Sequence, residues 1–381
     1  MKIAVELANF NFPYYFKTLF LFNRLPLLDD FGKINVVSSA KKRKKMSQRK
    51  TILQGRLDFG NAASYGKVKK LFDLRLDAYY KGEFGLKDPE YFDDETFIFS
   101  IPRLVFQWND KTWKTTVEGL EYLASYAISG QIEVYQSENG VIHRKNIISP
   151  DNEKLAVSEY KKGEACIKAK NPNWSEALTA LNEAIHTYDA HVEALEYRGR
   201  VMMHMCQWEE AKADLNRAIA IYPGAYKAHY WRAMVYYHLQ ETERSLLDFE
   251  TSVKNSLALQ QTHWLARLGK SRCLIDLGAF EDAIKELKLF VGKNFSTEMP
   301  LTPYKREAYH NMGVCWMEME QYDYAIDAFD EALKVKDGDH LVSEAACLYY
   351  RGMAKKRAGN SGFNVDLEKA QKMGYAGKVQ V

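Results

Sequence analysis

The stretch QWEEAKADLNRAIAIYP at residues 207–223 reads as an amphipathic helix, but its small residues are placed unusually. Ala211 and Ala218 are seven apart, Trp208 lies three before the first, and Pro223 closes the run. The same offsets recur in Tyr322, Ala325, Phe329 and Ala332, and in Trp174, Ala177, Leu181 and Ala184. Phe280, Ala283, Leu287 and Phe290 match with one large residue in place of a small one, and Thr242, Ser245, Phe249 and Ser252 form a degraded copy. The step from Ala177 to Ala211 equals the step from Ala211 to Ser245. Upstream of the copies a second helical pattern carries a small residue: Gly163, Gly199, Ala233, Ser271, Gly313 and Gly352.

A fixed period of about 34 residues in helix pairs predicts a stacked array. The reason for the small residues is steric. Two antiparallel helices approach closely only where side chains vanish, so Gly199 and Ala211 are expected to form one crossing and Gly313 and Ala325 another. Ala218 and Ala332 then admit the following unit, Trp208 and Tyr322 fill the space between helices, and Pro223 ends its helix. A single pair cannot bury its own apolar face, so neighbouring units must supply the rest of the core.

With these residues in place, residues 156–374 resemble a tetratricopeptide repeat (TPR) array of about six units, starting near residues 156, 192, 226, 264, 306 and 345. The resemblance implies a mainly α chain, a right-handed α-solenoid of helix pairs. The later units are displaced by insertions, because the steps from Ser245 to Ala283 and from Ala283 to Ala325 are both longer than the earlier ones. KNFSTEMPLTPYK at 293–305 is expected to project as a loop, and DLEKAQKMGYAGK resembles a terminal cap. The ending and the arrangement are similar to bacterial TPR proteins of unassigned activity.

The resemblance also places the working surface on the first helix of each pair. It implies groove positions at Glu193, Glu196, Arg200, Met203 and His204, then Lys227, Tyr230, Met234, Tyr237 and His238. Leu268, Arg272 and Asp276 follow, then Glu307, His310, Met317 and Glu318, and finally Tyr349, Lys356 and Arg357. Aromatics, methionines and both charge signs suit a peptide or protein segment. Nucleic acid would favour a consistently basic track. A Lys/Asn/Arg clamp for chaperone C-terminal carboxylates is missing, because its places hold Tyr160, Glu164 and Trp231.

Residues 51–150 read as a small α+β domain. Helices are expected at 64–80, with Ser64 as N-cap, and at 115–129. A β-rich run at 96–107 is split by Pro102, which predicts an edge strand or two short ones. Asn139-Gly140 between alternating runs signals a hairpin across 131–148. Helix followed by hairpin also occurs in winged-helix DNA binders.

Residues 1–50 carry 11 Lys/Arg against 3 Asp/Glu, whereas the whole chain is only +3. They read as a basic leader, either disordered or belonging to an over-extended gene model, since Met46 directly follows KKRKK at 41–45. The sharper alternatives are a membrane-surface helix or a nucleic-acid-binding tail. The apolar run TLFLF at 18–22 is too short for a signal core or a membrane span. Five scattered cysteines without CxxC fit a reducing cytoplasm, and no metal or cofactor is expected. His204 and His238 occupy equivalent repeat places but lack further ligands. No GxSxG, HExxH, P-loop or GxGxxG occurs, and Asp93, Asp94, Glu95 and His143 have no catalytic spacing. The expected function is a non-enzymatic protein-binding scaffold. The alternative is a nucleic-acid-binding or regulatory protein using the leader, residues 41–50 above all, and the hairpin domain.

Overall fold

The computed structural model describes residues 49–80, 82–86, 89–138, 141–297, 299–336 and 342–375. The basic run at 41–45, the apolar run at 18–22 and the Asn139-Gly140 turn lie outside them. The described residues fall into two compact units, residues 49–235 and residues 236–375.

The first unit opens with β1 (Lys50–Asp58), α1 (Ala62–Arg75) and a single π-turn over Leu76–Tyr80. Next come β2 (Phe92–Asp93), β3 (Ile98–Phe106), α2 (Asp110–Ala124), β4 (Ser129–Glu138) and β5 (Val141–Ile148). The five strands form one antiparallel sheet in the order β2-β3-β1-β4-β5. The hairpin β4–β5 is therefore two strands of a five-stranded sheet, a topology that departs from a winged helix. Helix α1 is capped by Asn61, whose side chain accepts from Ser64 N, so Ser64 is not the cap. The π-turn inserts a residue into the 3.6-residue stripe, so Tyr80 is buried while Tyr79 stays exposed. Pro102 does not break β3. It sits where Leu53 pairs Leu104 and Gly55 pairs Ile101, a one-residue bulge that tolerates a missing N–H.

The central strand β1 has no clean alternation in TILQGRLD. Gly55, at φ 139°, faces β4 so closely that a Cβ would lie 2.1 Å from the Gln131 carbonyl oxygen. On one sheet face Leu53, Leu57, Phe99, Ile132 and Val134 join Phe72 of α1 and Leu120 and Leu123 of α2 in one core.

The same unit continues through α3 (Leu155–Lys168), α4 (Trp174–Thr187), α5 (Val192–His204) and α6 (Trp208–Ile221) into α7 (Tyr226–His238). The second unit takes up the end of α7 and adds α8 (Thr242–Asn255), α9 (Gln261–Asp276), α10 (Phe280–Gly292) and α11 (Tyr304–Glu318). It closes with α12 (Tyr322–Lys334), α13 (Glu344–Arg357) and α14 (Phe363–Lys372). Within each unit consecutive helices pack in pairs, the α-solenoid mode.

The crossings explain the small residues. A Cβ on Gly199 would meet Leu215 Cγ at 2.8 Å and the Ala211 carbonyl oxygen at 3.3 Å. Gly163 repeats this against Leu181 and Ala177, and a Cβ on Gly313 would lie 2.6 Å from Phe329. Ala211, Ala218, Ala325 and Ala332 are fully buried. Turns between paired helices pass through the left-handed region at Cys206, Gln240, Gly278, Glu320 and Gly359. Pro223 lies just past the C-cap Tyr222.

The segment 293–305 does not project. Phe295 packs 5.8 Å from Trp264 and 5.0 Å from Phe290, and Leu301 and Met299 are buried. Its apolar residues are too many to remain in water. The cysteines are free, and burial pushes the Cys273, Cys315 and Cys347 thiols up to about 12.

Candidate interaction surface

In the first unit the inner stripe of α3, α5 and α7 is largely packed. Tyr160 and Tyr197 both donate to Glu164 Oε1, at 3.2 and 3.1 Å, and Lys168 pairs with the same oxygen. Glu196, Arg200, Met203, Tyr230 and Met234 are buried. The Arg200 guanidinium lies 5.0 Å over the Trp231 ring, with Tyr230 edge-on to that ring. His204 stacks on Trp174 at 4.4 Å. Burial, with the Arg200 charge, lowers its pKa to about 4, so at neutral pH it is an uncharged stacking group.

The second face of the sheet meets the N-terminal ends of these first helices in a polar seam. Gly130 N donates to Glu193 Oε2 at 3.0 Å, the Tyr226 hydroxyl donates to Glu133 Oε1 at 2.9 Å, and Lys227 Nζ lies 3.4 Å from Gln131 Oε1. The Tyr188 hydroxyl donates to Asp58 Oδ2, and Arg56 lies 5.0 Å over Tyr222. Burial alone would raise the Glu193 carboxyl. The His191 hydrogen bond and charge, with Arg56 behind them, outweigh burial together and hold it at about 2. Lys227 and Glu193 thus contact the chain's own sheet. Tyr188 and Tyr222, one repeat apart, were the sequence signal for this seam; nothing in β1 or β4 announced its other half.

A second set of contacts recurs with the repeat period. Arg198 donates bidentately to Asp214 on its own unit's second helix, at 2.6 and 2.7 Å, and to Asn182 on the preceding unit's second helix at 2.8 Å. Arg232 reaches Asn216 the same way at 2.7 Å, and Arg351 bridges Asp330 and Asp366. Arg198 and Arg232, like Asn182 and Asn216, are one repeat period apart.

In the second unit Arg272 Nε donates to Glu307 Oε1 at 2.6 Å, tying α9 to α11. The Tyr237 hydroxyl bonds Asp276, and burial raises the Tyr237 hydroxyl. His310 is buried between Phe329 at 5.6 Å and Tyr350 at 5.1 Å, and burial lowers it to about 4. His238 is lowered likewise to about 4. Accessibility concentrates at the C-terminal ends of the first helices. Asp276, Glu318, Lys356 and Arg357 are exposed, and Arg272, Met317 and Tyr349 are half-buried. Among the described residues no group of three or more His, Cys, Asp or Glu could hold a metal ion, and no helix is long and apolar enough to cross a membrane.

Two sequence-family models described as tetratricopeptide repeat match, one over residues 192–225 and one over residues 307–339. No curated protein matches the chain. Among solved structures it is similar to YrrB, a TPR protein with an unusual peptide-binding site. The identity is 18% and the TM-score 0.42, over 51% of this chain and 93% of that one. It is also similar to PilW, a widely conserved type IV pilus biogenesis factor, at 15% identity and TM-score 0.47, over 58% of this chain and 92% of that one. PilF of Pseudomonas aeruginosa matches at 11% identity and TM-score 0.48, over 59% of this chain and 93% of that one. Glycine–alanine crossings recur from unit to unit, and two of the units that carry them are matched as tetratricopeptide repeats; the chain is a TPR-containing protein, built on the repeat of protein-interaction scaffolds.

Proposed function

We propose that this protein binds an extended peptide or protein segment along the first-helix face of its repeats, and that the accessible part of the site lies in residues 236–381. The observation that carries this reading is the mixed chemistry left accessible on α9, α11 and α13. Acids stand at Asp276 and Glu318, bases at Lys356 and Arg357, and half-buried Met317 and Tyr349 accompany them. Met and Tyr supply contact area, and charges of both signs supply register. The helices are held by their own core, so little ordering is needed on binding. Arg200, Met203 and Tyr230 are packed within residues 49–235, and Lys227 and Glu193 contact the sheet.

The test is capture of a partner by the full chain, followed by charge reversal. Glu318→Lys combined with Lys356→Glu and Arg357→Glu is expected to weaken that partner at least tenfold with helicity unchanged. The control Glu331→Lys, exposed on α12, is expected to leave it unchanged. Equal loss from both variants, or from neither, contradicts the assignment.

A further inference from the structure

The antiparallel sheet ends in two edges of different character. At one, β2 covers β3 only at Ile98 and Phe99, and further along Pro102 supplies no N–H and sits in the bulge. Both features deter pairing with another strand. The other edge is β5. Its register with β4 shifts once, at His143, and then runs unbroken from Arg144 opposite Gln136 to Ile148 opposite Ile132. No proline interrupts this stretch. Among the described residues no other backbone group pairs with β5 on its outer side. Alternate residues of 144–148 therefore point their N–H and C=O groups outward with no strand to receive them.

The side chains on this edge set the chemistry of what it can take. His143, Arg144 and Lys145 are consecutive and exposed. The acids within reach are Asp110, which Arg144 shares with Arg49, and Glu138, which His143 shares with Arg49. Among the described residues Lys145 has no acidic partner, and its ammonium lies 5.9 Å over the Tyr135 ring. Any strand added here thus meets an excess of cations. Ile147, 42% exposed, stands two residues beyond Lys145 and so on the same face.

A second copy pairing antiparallel about the middle of β5 would set each Arg144 opposite the other's Lys145, and like charges directly opposite repel. The chain's own first 50 residues, with 11 Lys/Arg against 3 Asp/Glu, carry the same sign. A nucleic acid would meet the cations but offers no peptide backbone to the edge. An acidic extended segment meets both, by strand addition. The charges that deter a second copy are the ones that select it.

We infer that the outer edge of β5 receives an extended acidic segment of another protein as an added strand. Its carboxylates lie opposite Arg144 and Lys145, and an apolar residue lies opposite Ile147. The site is separate from the repeat surface.

Fluorescence anisotropy of the full chain with a labelled peptide of about twelve residues tests this. The peptide carries two adjacent aspartates and an isoleucine two residues before them, and a second peptide carries the same residues in reverse order. One of the two is expected to bind, and its counterpart with lysine for aspartate is expected to bind at least about tenfold more weakly. N-methylation of one set of alternate peptide amides is expected to weaken binding at least about tenfold, and of the other set less than about twofold, because alternate N–H groups of a strand point to one side. Lys145→Glu is expected to cost about fivefold, with circular dichroism verifying that the variant stays folded. No binding in either order, equal effects of the two N-methylated sets, or displacement of the peptide by a DNA duplex that binds more tightly would overturn the inference. Dimerisation of the unaltered chain that protects the amides of 144–148 from hydrogen exchange would overturn it in favour of a second copy.

Discussion

Gly66 and Gly199 both lie inside helices, yet alanine is expected to act oppositely at the two. A Cβ at Gly66 meets nothing within 4 Å, so Gly66→Ala should gain the helix propensity of about 0.5–1 kcal/mol. At Gly199 the Cβ collides with Leu215 and the Ala211 backbone, so Gly199→Ala should lose about 1–2 kcal/mol after that gain. Urea midpoints followed by circular dichroism check both signs. His310 gives a titration signature. Its folded pKa, about 4, lies below the unfolded value of 6.5, so the unfolded chain binds the extra proton between those pH values. Stability is therefore full above about pH 6.5 and falls as pH drops toward 4, by about 2 kcal/mol at pH 5 from this group. His310→Phe, a ring of similar size between Phe329 and Tyr350, should flatten that part of the urea–pH profile. An unchanged slope would assign the acid loss to other groups.

At the scale of elements, the arginine bridge does what a glycine crossing cannot: it links successive units. Asp214 is buried and Arg198 nearly so, so Arg198→Met should cost about 3–5 kcal/mol by leaving the carboxylate unpaired. Arg198→Met/Asp214→Leu should recover much of that in the same urea experiment. Failure of the double variant to recover would mean that Arg198 acts through packing alone. The helix pairs were legible because the repeat period is written in residues that sterics forces to be small. The bridge was equally legible, in Asn182, Arg198 and their counterparts one period on. Strand β1 was not: Gly55, Arg56 and Asp58 break its alternation because one answers a close approach of β4 and the others serve the polar seam. The π-turn shifted Tyr79 and Tyr80 for a related reason, since an inserted residue leaves no mark in a 3.6-residue stripe.

For the whole molecule, the seam changes what the first-helix stripe offers. Glu193, Tyr226 and Lys227 meet the sheet, and Arg200, Tyr230 and His310 are packed; family resemblance assigned the stripe but could not show which of its residues the chain itself covers. The open remainder at the ends of α9, α11 and α13 is where the proposed binding of a partner is placed. The most direct measurement is site-specific photo-crosslinking in the full chain with its captured partner. A photoreactive residue is placed in turn at Glu318, Met317 and Arg357, and at the second-helix positions Glu331 and Lys285. The account predicts crosslinks to one partner segment from the first-helix positions and none from the second-helix positions; crosslinks confined to Glu331 and Lys285 would contradict it.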